Sequence, residues 1–216
     1  MSENRVHASQ ELFARMLAYF VREKQSKQPP ALISHPDAEV NRIASGQLES
    51  LRKAAVLIPV TRATATMESQ VVLTVRSANL KSHAGQISLP GGTQNKQDAD
   101  IFATALRESE EEIGLPGSSV QILGRLGEFA LPSGFRVTPV VGIIDAELPL
   151  VPCPVEVADI FYTPLTLVLD PNAYRRSEML FQNAPRKILE LTFEDYRIWG
   201  ATANILHHLA TQVSQE

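Results

Sequence analysis

A paired glycine, a glutamate-rich run with helical spacing and a closing glycine constrain this chain more than any other feature. The stretch runs from Gly91-Gly92 through Asp98 to Leu106-Arg107-Glu108-Ser109-Glu110-Glu111-Glu112-Ile113-Gly114-Leu115. Residues three and four apart share one face of an α-helix. That spacing gathers Glu108, Glu111 and Glu112 on one side. Phe102, Ala105, Leu106, Ser109 and Ile113 fall toward another, mostly apolar side fit for burial. Gly114 suits the left-handed residue that ends a helix, and Pro116 blocks resumption. Three like charges in one patch repel, at about 0.2–0.5 kcal/mol per exposed pair. Arg107 relieves part of that repulsion, and a divalent cation with oxygen ligands would relieve all of it.

A glutamate-rich helix face is commonly only solvated, and a lone Glu-x-x-Glu-Glu would say no more than that. Here the Gly-Gly, the Arg107-Glu108 pair, the Glu111-Glu112 pair and Gly114 fall in register, which favours a metal site. The pattern resembles the Nudix box, G-x5-E-x7-R-E-U-x-E-E-x-G-U, where U is a bulky aliphatic residue. The chain departs from it in three places. Asp98 stands where glutamate is usual, eight residues instead of seven separate it from Arg107, and Ser109 takes an aliphatic position. The first two departures bear on the first acidic position of the box. The third is expected to weaken helix packing slightly.

The chain has 216 residues, enough for one sizeable core or a small domain with an extension. A formal net charge of −4 argues against a general nucleic-acid binder or an anionic-membrane binder. A small anionic substrate stays compatible, because a bound cation inverts the local field. Cys153 is the sole cysteine, so an internal disulfide cannot form; flanked by Pro152 and Pro154, it reads as structural. No apolar run is long enough to span a bilayer, and Met1-Ser2-Glu3-Asn4-Arg5 does not open a secretory signal. A soluble cytoplasmic protein is the default expectation.

Apolar periodicity predicts helices over Ser9–Lys24, with a stripe of Leu12, Phe13, Met16, Leu17, Phe20 and Val21, and over Asp37–Ile43 and Glu194–Val213. Strands are expected at Ala54–Val60, Gln70–Arg76, Gln86–Leu89, Val120–Leu126, Phe129–Leu131, Arg136–Ile144, Tyr162–Pro164 and Lys187–Phe193. Glu156–Ile160 reads as a helix or turn, and the stretch after Pro171 as polar and irregular. Such a pattern gives one mixed α/β domain with helices on both faces of a sheet. The resemblance implies the same: a Nudix-type α/β/α sandwich around a mixed sheet, over residues 51–216, with residues 1–50 as an N-terminal helical extension.

Upstream of the glycines, Leu73-Thr74-Val75-Arg76-Ser77-Ala78-Asn79-Leu80-Lys81-Ser82-His83-Ala84-Gly85-Gln86-Ile87-Ser88-Leu89-Pro90-Gly91-Gly92 resembles the extra motif of the coenzyme A pyrophosphatases within the Nudix group. Lys81 stands where arginine is usual and Leu89 where phenylalanine is usual; Lys81 keeps the charge but lacks the planar fork. The Asp98 spacing is one that coenzyme A members also tend to show. Segments 133–142, 156–161 and 199–203 resemble the same group. The resemblance implies cleavage of coenzyme A, and of acyl derivatives, to adenosine 3′,5′-bisphosphate and 4′-phosphopantetheine. Mg2+ or Mn2+ would be held by Glu108, Glu111 and Glu112, the hard carboxylates that such ions take. Which glutamate activates the water is left open. Arg107 is expected to orient a box glutamate, and Glu156 to act as a distal base or extra ligand, against the plainer reading of a helix N-terminal charge. Arg76, Lys81 and His83, with the close-approaching backbone of Gly91 and Gly92, are the expected substrate contacts. The alternatives are hydrolysis of another nucleoside diphosphate such as ADP-ribose or a dinucleotide, a catalytically silent nucleotide-binding module, and an acidic helix serving only protein contact. A homodimer is compatible with this reading and not required by it.

Overall fold

The computed structural model describes residues 3–46, 48–64, 66–80, 83–181 and 184–216. Eight strands form one mixed sheet: β1 (Arg52–Thr61), β2 (Gln70–Arg76), β3 (Ile87–Ser88), β4 (Gly91–Thr93), β5 (Gln121–Arg125), β6 (Phe129–Leu131), β7 (Phe135–Ile144) and β8 (Val157–Pro164). β1 runs parallel to β7 along its whole length, from Arg52 opposite Phe135 to Thr61 opposite Ile144. On its other side β1 pairs with β2, among the described residues, only at Val60 opposite Val71.

The gap between them is filled by the segment that carries the paired glycines. β3 pairs with β2 through Thr74–Ser88 and Val75–Ile87, and β4 pairs with β1 through Ala54–Thr93, Ala55–Gly92 and Val56–Gly91. The Leu57 N–H donates to the Pro90 carbonyl at 2.8 Å between them. A strap thus crosses the split sheet and puts Gly91-Gly92 at its centre. β8 covers the far edge of β2, β5 and β6 each pair with β7, and β5 ends the sheet.

Strand alternation sends side chains to two faces. On one, Ala54, Ile58 and Val60 of β1 with Val71, Leu73, Val137, Val141 and Ile143 meet helices α1 (Glu3–Gln25), α4 (Leu165–Val168) and α5 (Gly200–Val213). On the other, Ala55, Leu57, Val72, Val140 and Ile144 pack on Ala105 and Ile113 of α3 (Ile101–Ile113). This is the expected α/β/α layering. A short helix α2 (Ala38–Gly46) follows α1, and a separate meander of β9 (Arg175–Phe181), β10 (Ala184–Phe193) and β11 (Tyr196–Trp199) leads into α5.

The structure corrects four sequence expectations. Residues 157–164 form one strand; the helix or turn expected over 156–160 gives way to pairing along β2. The stretch after Pro171 contains β9, held by backbone pairing to β10 and not by an apolar pattern. The terminal helix starts at Gly200, because Glu194, at φ 51°, turns the chain so that Phe193 pairs with Tyr196. Ile198, expected on the helix stripe, is a fully buried strand residue. In α1 the buried stripe runs through Phe13, Met16, Tyr19 and Phe20, and Val21 is exposed.

Candidate functional site

The site is built from the strap and α3. Asp100 starts α3 by accepting the Ala103 N–H at 2.8 Å, and Gly114, at φ 63°, ends it with its N–H on the Glu110 carbonyl at 3.0 Å. Ser109 is buried with its hydroxyl satisfied, its Oγ donating to the Ala105 carbonyl at 2.7 Å.

The three box glutamates do not form one uniform patch. Successive helix residues turn by about 100°, so Glu111 and Glu112 diverge. Glu112 falls on the sheet-facing side with Ala105, Ser109 and Ile113 and is 3 % exposed. Glu108 is half-buried, and the Glu111 side chain is 56 % exposed. One Glu112 oxygen accepts the Gly91 N–H at 3.1 Å, and the other lies 3.9 Å from Nη1 of Arg76. Burial pushes the Glu112 carboxyl up to about 7; the Gly91 N–H and Arg76 pull it down, and the charges of Glu156 and Glu108 add to the rise. Burial also raises Glu108, against Arg107.

The two glycines serve different neighbours. A Cβ at Gly91 would stand 2.3 Å from the Ala55 carbonyl oxygen, and its φ of 155° is one L side chains rarely adopt. A Cβ at Gly92 would stand 2.4 Å from Oε2 of Glu108. The Gly92 backbone is thus the floor on which the Glu108 carboxylate rests.

Arg107 ties the helix to the strap. Its Nε and Nη2 grip Asp98 at 2.9 and 3.1 Å, Nη2 also reaches Glu108 at 2.8 Å and the Thr93 carbonyl at 3.1 Å, and Nη1 reaches Glu111 at 3.2 Å. Asp98 is fixed in turn by the Asn95 N–H at 2.8 Å and the Thr104 hydroxyl at 2.9 Å. The Arg107 hydrogen bonds hold its carboxyl well below the usual carboxylate range. Asp98 is absent from the candidate residues read from sequence. Its signals were its place at the first acidic position of the box and its odd spacing to Arg107.

Glu156 sits in the turn before β8. The proline-dense loop seats it: the Val151 and Cys153 N–H groups cap α3 on the Ile113 and Glu112 carbonyls at 3.0 and 2.8 Å, and the Cys153 carbonyl accepts the Glu156 N–H at 3.0 Å. Glu156 precedes a strand, so the reading as a helix N-terminal charge falls, and its charge reaches both Glu108 and Glu112. At the end of β2, Nε of Arg76 is buried and has no hydrogen-bond partner among the described residues. His83 is an exposed loop residue at φ 60° whose Nδ1 meets Gln86 at 2.9 Å. Lys81 lies outside the described residues.

Among the described residues, no three of the Asp, Glu, His and Cys side chains form a ready-made cation cage. Glu111 is turned to Arg107 instead. The donor chemistry nevertheless fits a hard divalent ion. Glu108 and Glu112 are carboxylates desolvated beside each other and beside Glu156, and Mg2+ commonly takes one or two carboxylates together with substrate phosphate and water.

The profile of the NUDIX domain matches residues 51–181, more than half of the chain. The chain belongs to the Nudix family. It is 41 % identical over 162 residues to the uncharacterized Nudix hydrolase NudL of Photorhabdus laumondii, covering 75 % of this chain and 85 % of that protein. It is 39 % identical over 163 residues to the uncharacterized Nudix hydrolase NudL of Yersinia pestis, covering 76 % and 80 %. A solved MutT/nudix family protein from Enterococcus faecalis aligns with a TM-score of 0.49 at 15 % identity, over 92 % of this chain and 69 % of that one. Nudix hydrolases generally use divalent ions such as Mg2+ or Mn2+, in keeping with the oxygen donors gathered here. No described helix of this Nudix protein is long and apolar enough to cross a membrane.

Proposed function

We propose that this Nudix protein hydrolyses the diphosphate bond of coenzyme A, and of acyl derivatives, to adenosine 3′,5′-bisphosphate and 4′-phosphopantetheine. One observation carries the reading. The segment that resembles the coenzyme A motif runs from β2 into the strap, and its Arg76 stands 3.9 Å from the buried Glu112. The residue suited to an anionic nucleotide and the carboxylate suited to a cation therefore adjoin.

Glu108, Glu111 and Glu112 are the proposed ligands of Mg2+ or Mn2+. Glu111, exposed and paired with Arg107, would turn from that pair to join them, and Asp98 would hold Arg107 in place. The cation, when bound, withdraws charge from the diphosphate and acidifies a bound water. Arg76, whose side chain is partly exposed beside Glu112, meets phosphate oxygens with its guanidinium group. Glu156 accepts the proton of the attacking water or adds a ligand oxygen. Lys81 supplies positive charge and His83 a ring nitrogen for the 3′-phosphate, the group that sets coenzyme A apart from a plain dinucleotide. The proposed partner is this small nucleotide, with no nucleic acid and no membrane.

The test is incubation with coenzyme A and Mg2+ or Mn2+, with the products separated. Both named products are expected. Turnover of ADP-ribose without either of them would place the activity on another nucleoside diphosphate.

A further inference from the structure

We propose a second binding site, at the far edge of the sheet, for an amphipathic anion: an acidic head on an apolar body. A groove of about 550 Å3 lies along β5, the strand that ends the sheet. That volume falls in the range that holds small organic ligands. Its apolar walls include Phe20 from the end of α1, Pro30 from the following loop, Ile122 of β5 and Phe102 from the start of α3. Its rim carries Lys24, Lys27 and Arg125 against the single carboxylate of Glu23. Among the described residues none of these three cations makes an ion pair, whereas neighbouring Arg22 is satisfied by Glu216.

The groove is separate from the candidate active site. β7 stands between β5 and β1. Phe102 and Glu112 lie ten residues apart on α3, about 15 Å along its axis. The apolar walls call for a hydrophobic body, because water there gains little. The unpaired rim cations, on a chain of net charge −4, call for an anionic head. An extended peptide fits less well, since the register slips between Ile122 and Gly124 and breaks the edge a partner strand would need.

The probe is decanoate, measured by equilibrium dialysis against the full-length protein, with butyrate and decyltrimethylammonium as comparators. Saturable binding of one decanoate per chain is expected, with both comparators about tenfold weaker or more. The combined Lys24→Glu, Lys27→Glu and Arg125→Glu variant is expected to weaken decanoate binding by about tenfold or more, with unchanged circular dichroism and thermal midpoint. Absence of saturable binding, equal binding of the cationic detergent, or affinity unmoved by the triple substitution each overturns the proposal.

Discussion

Gly91 and Gly92 are neighbours with opposite consequences. An added methyl at Gly91 meets fixed backbone, the Ala55 carbonyl and the Val56 Cα, at a φ of 155°. Gly91→Ala is therefore expected to lower stability by more than about 1 kcal/mol, read as a shifted denaturant midpoint. At Gly92 the methyl meets the tip of a side chain, the Glu108 carboxylate. Gly92→Ala is expected to spare the midpoint and to impair metal-dependent turnover; a variant equally active and equally stable would refute the floor assigned to that glycine. Glu111→Gln and Glu112→Gln remove proposed ligands. Each is expected to cut hydrolysis at saturating metal by about 100-fold or more, the equivalent of about 2.7 kcal/mol or more of lost charge stabilisation. Asp98 acts through Arg107. Its pKa is depressed in the folded chain, so the unfolded chain binds the proton first as pH falls. Its contribution is complete above the unfolded value of about 3.9 and declines below it. In urea titrations the stability gap between wild type and Asp98→Asn is expected to be widest near neutral pH and to narrow below about pH 4. A gap constant down to pH 2 would contradict the assignment, pH 2 being roughly two units below that unfolded value.

Elements whose own residues carry their signals were legible in the chain, and elements made by pairing were not. α3 announces itself through its apolar spacing, Gly114 and Pro116, and the structure places it at 101–113, with the Asp100 cap added by the fold. β1, β2 and β7 are β-branched runs, and each was recognisable before any contact was known. β9, with Arg175, Arg176, Ser177 and Glu178, has no apolar alternation and exists because β10 pairs with it. The start of α5 was placed too early because Ile198 fits a helical period as well as a strand. What decides is the turn at Glu194 and the anchorage of Thr202, whose buried hydroxyl donates to the Ile87 carbonyl of the strap at 3.0 Å. Thr202→Val leaves that carbonyl without its donor and is expected to cost about 1 kcal/mol in chemical denaturation. An unchanged midpoint would mean that α5 does not help hold the strap.

At the scale of the whole molecule, α1 belongs to the same core as the sheet. Met16, Tyr19 and Phe20 are buried with Ile58, Leu73 and Val141, and the Ser9 hydroxyl accepts the Ser69 N–H at 2.8 Å. Residues 1–50 read in the sequence as an extension, yet the first helix supplies part of what the sheet buries. Met16→Ala is expected to cost about 2–5 kcal/mol and to shift one cooperative thermal transition. A separate early transition, with the rest of the chain unfolding as before, would show α1 to be an independent appendage.

From the sequence alone came the helix that carries the carboxylates, the glycines that precede it, the layered α/β class and the family resemblance. All of these rest on local spacing, and local spacing follows from backbone geometry. Only the tertiary structure decided which glutamate is buried, which two are paired with Arg107, and that Asp98 is locked to the same arginine. Those outcomes depend on a strap crossing a split sheet, and on a loop capping α3, between residues far apart in the chain. Burial and charge pairing are properties of such encounters, and no stretch of sequence contains them by itself.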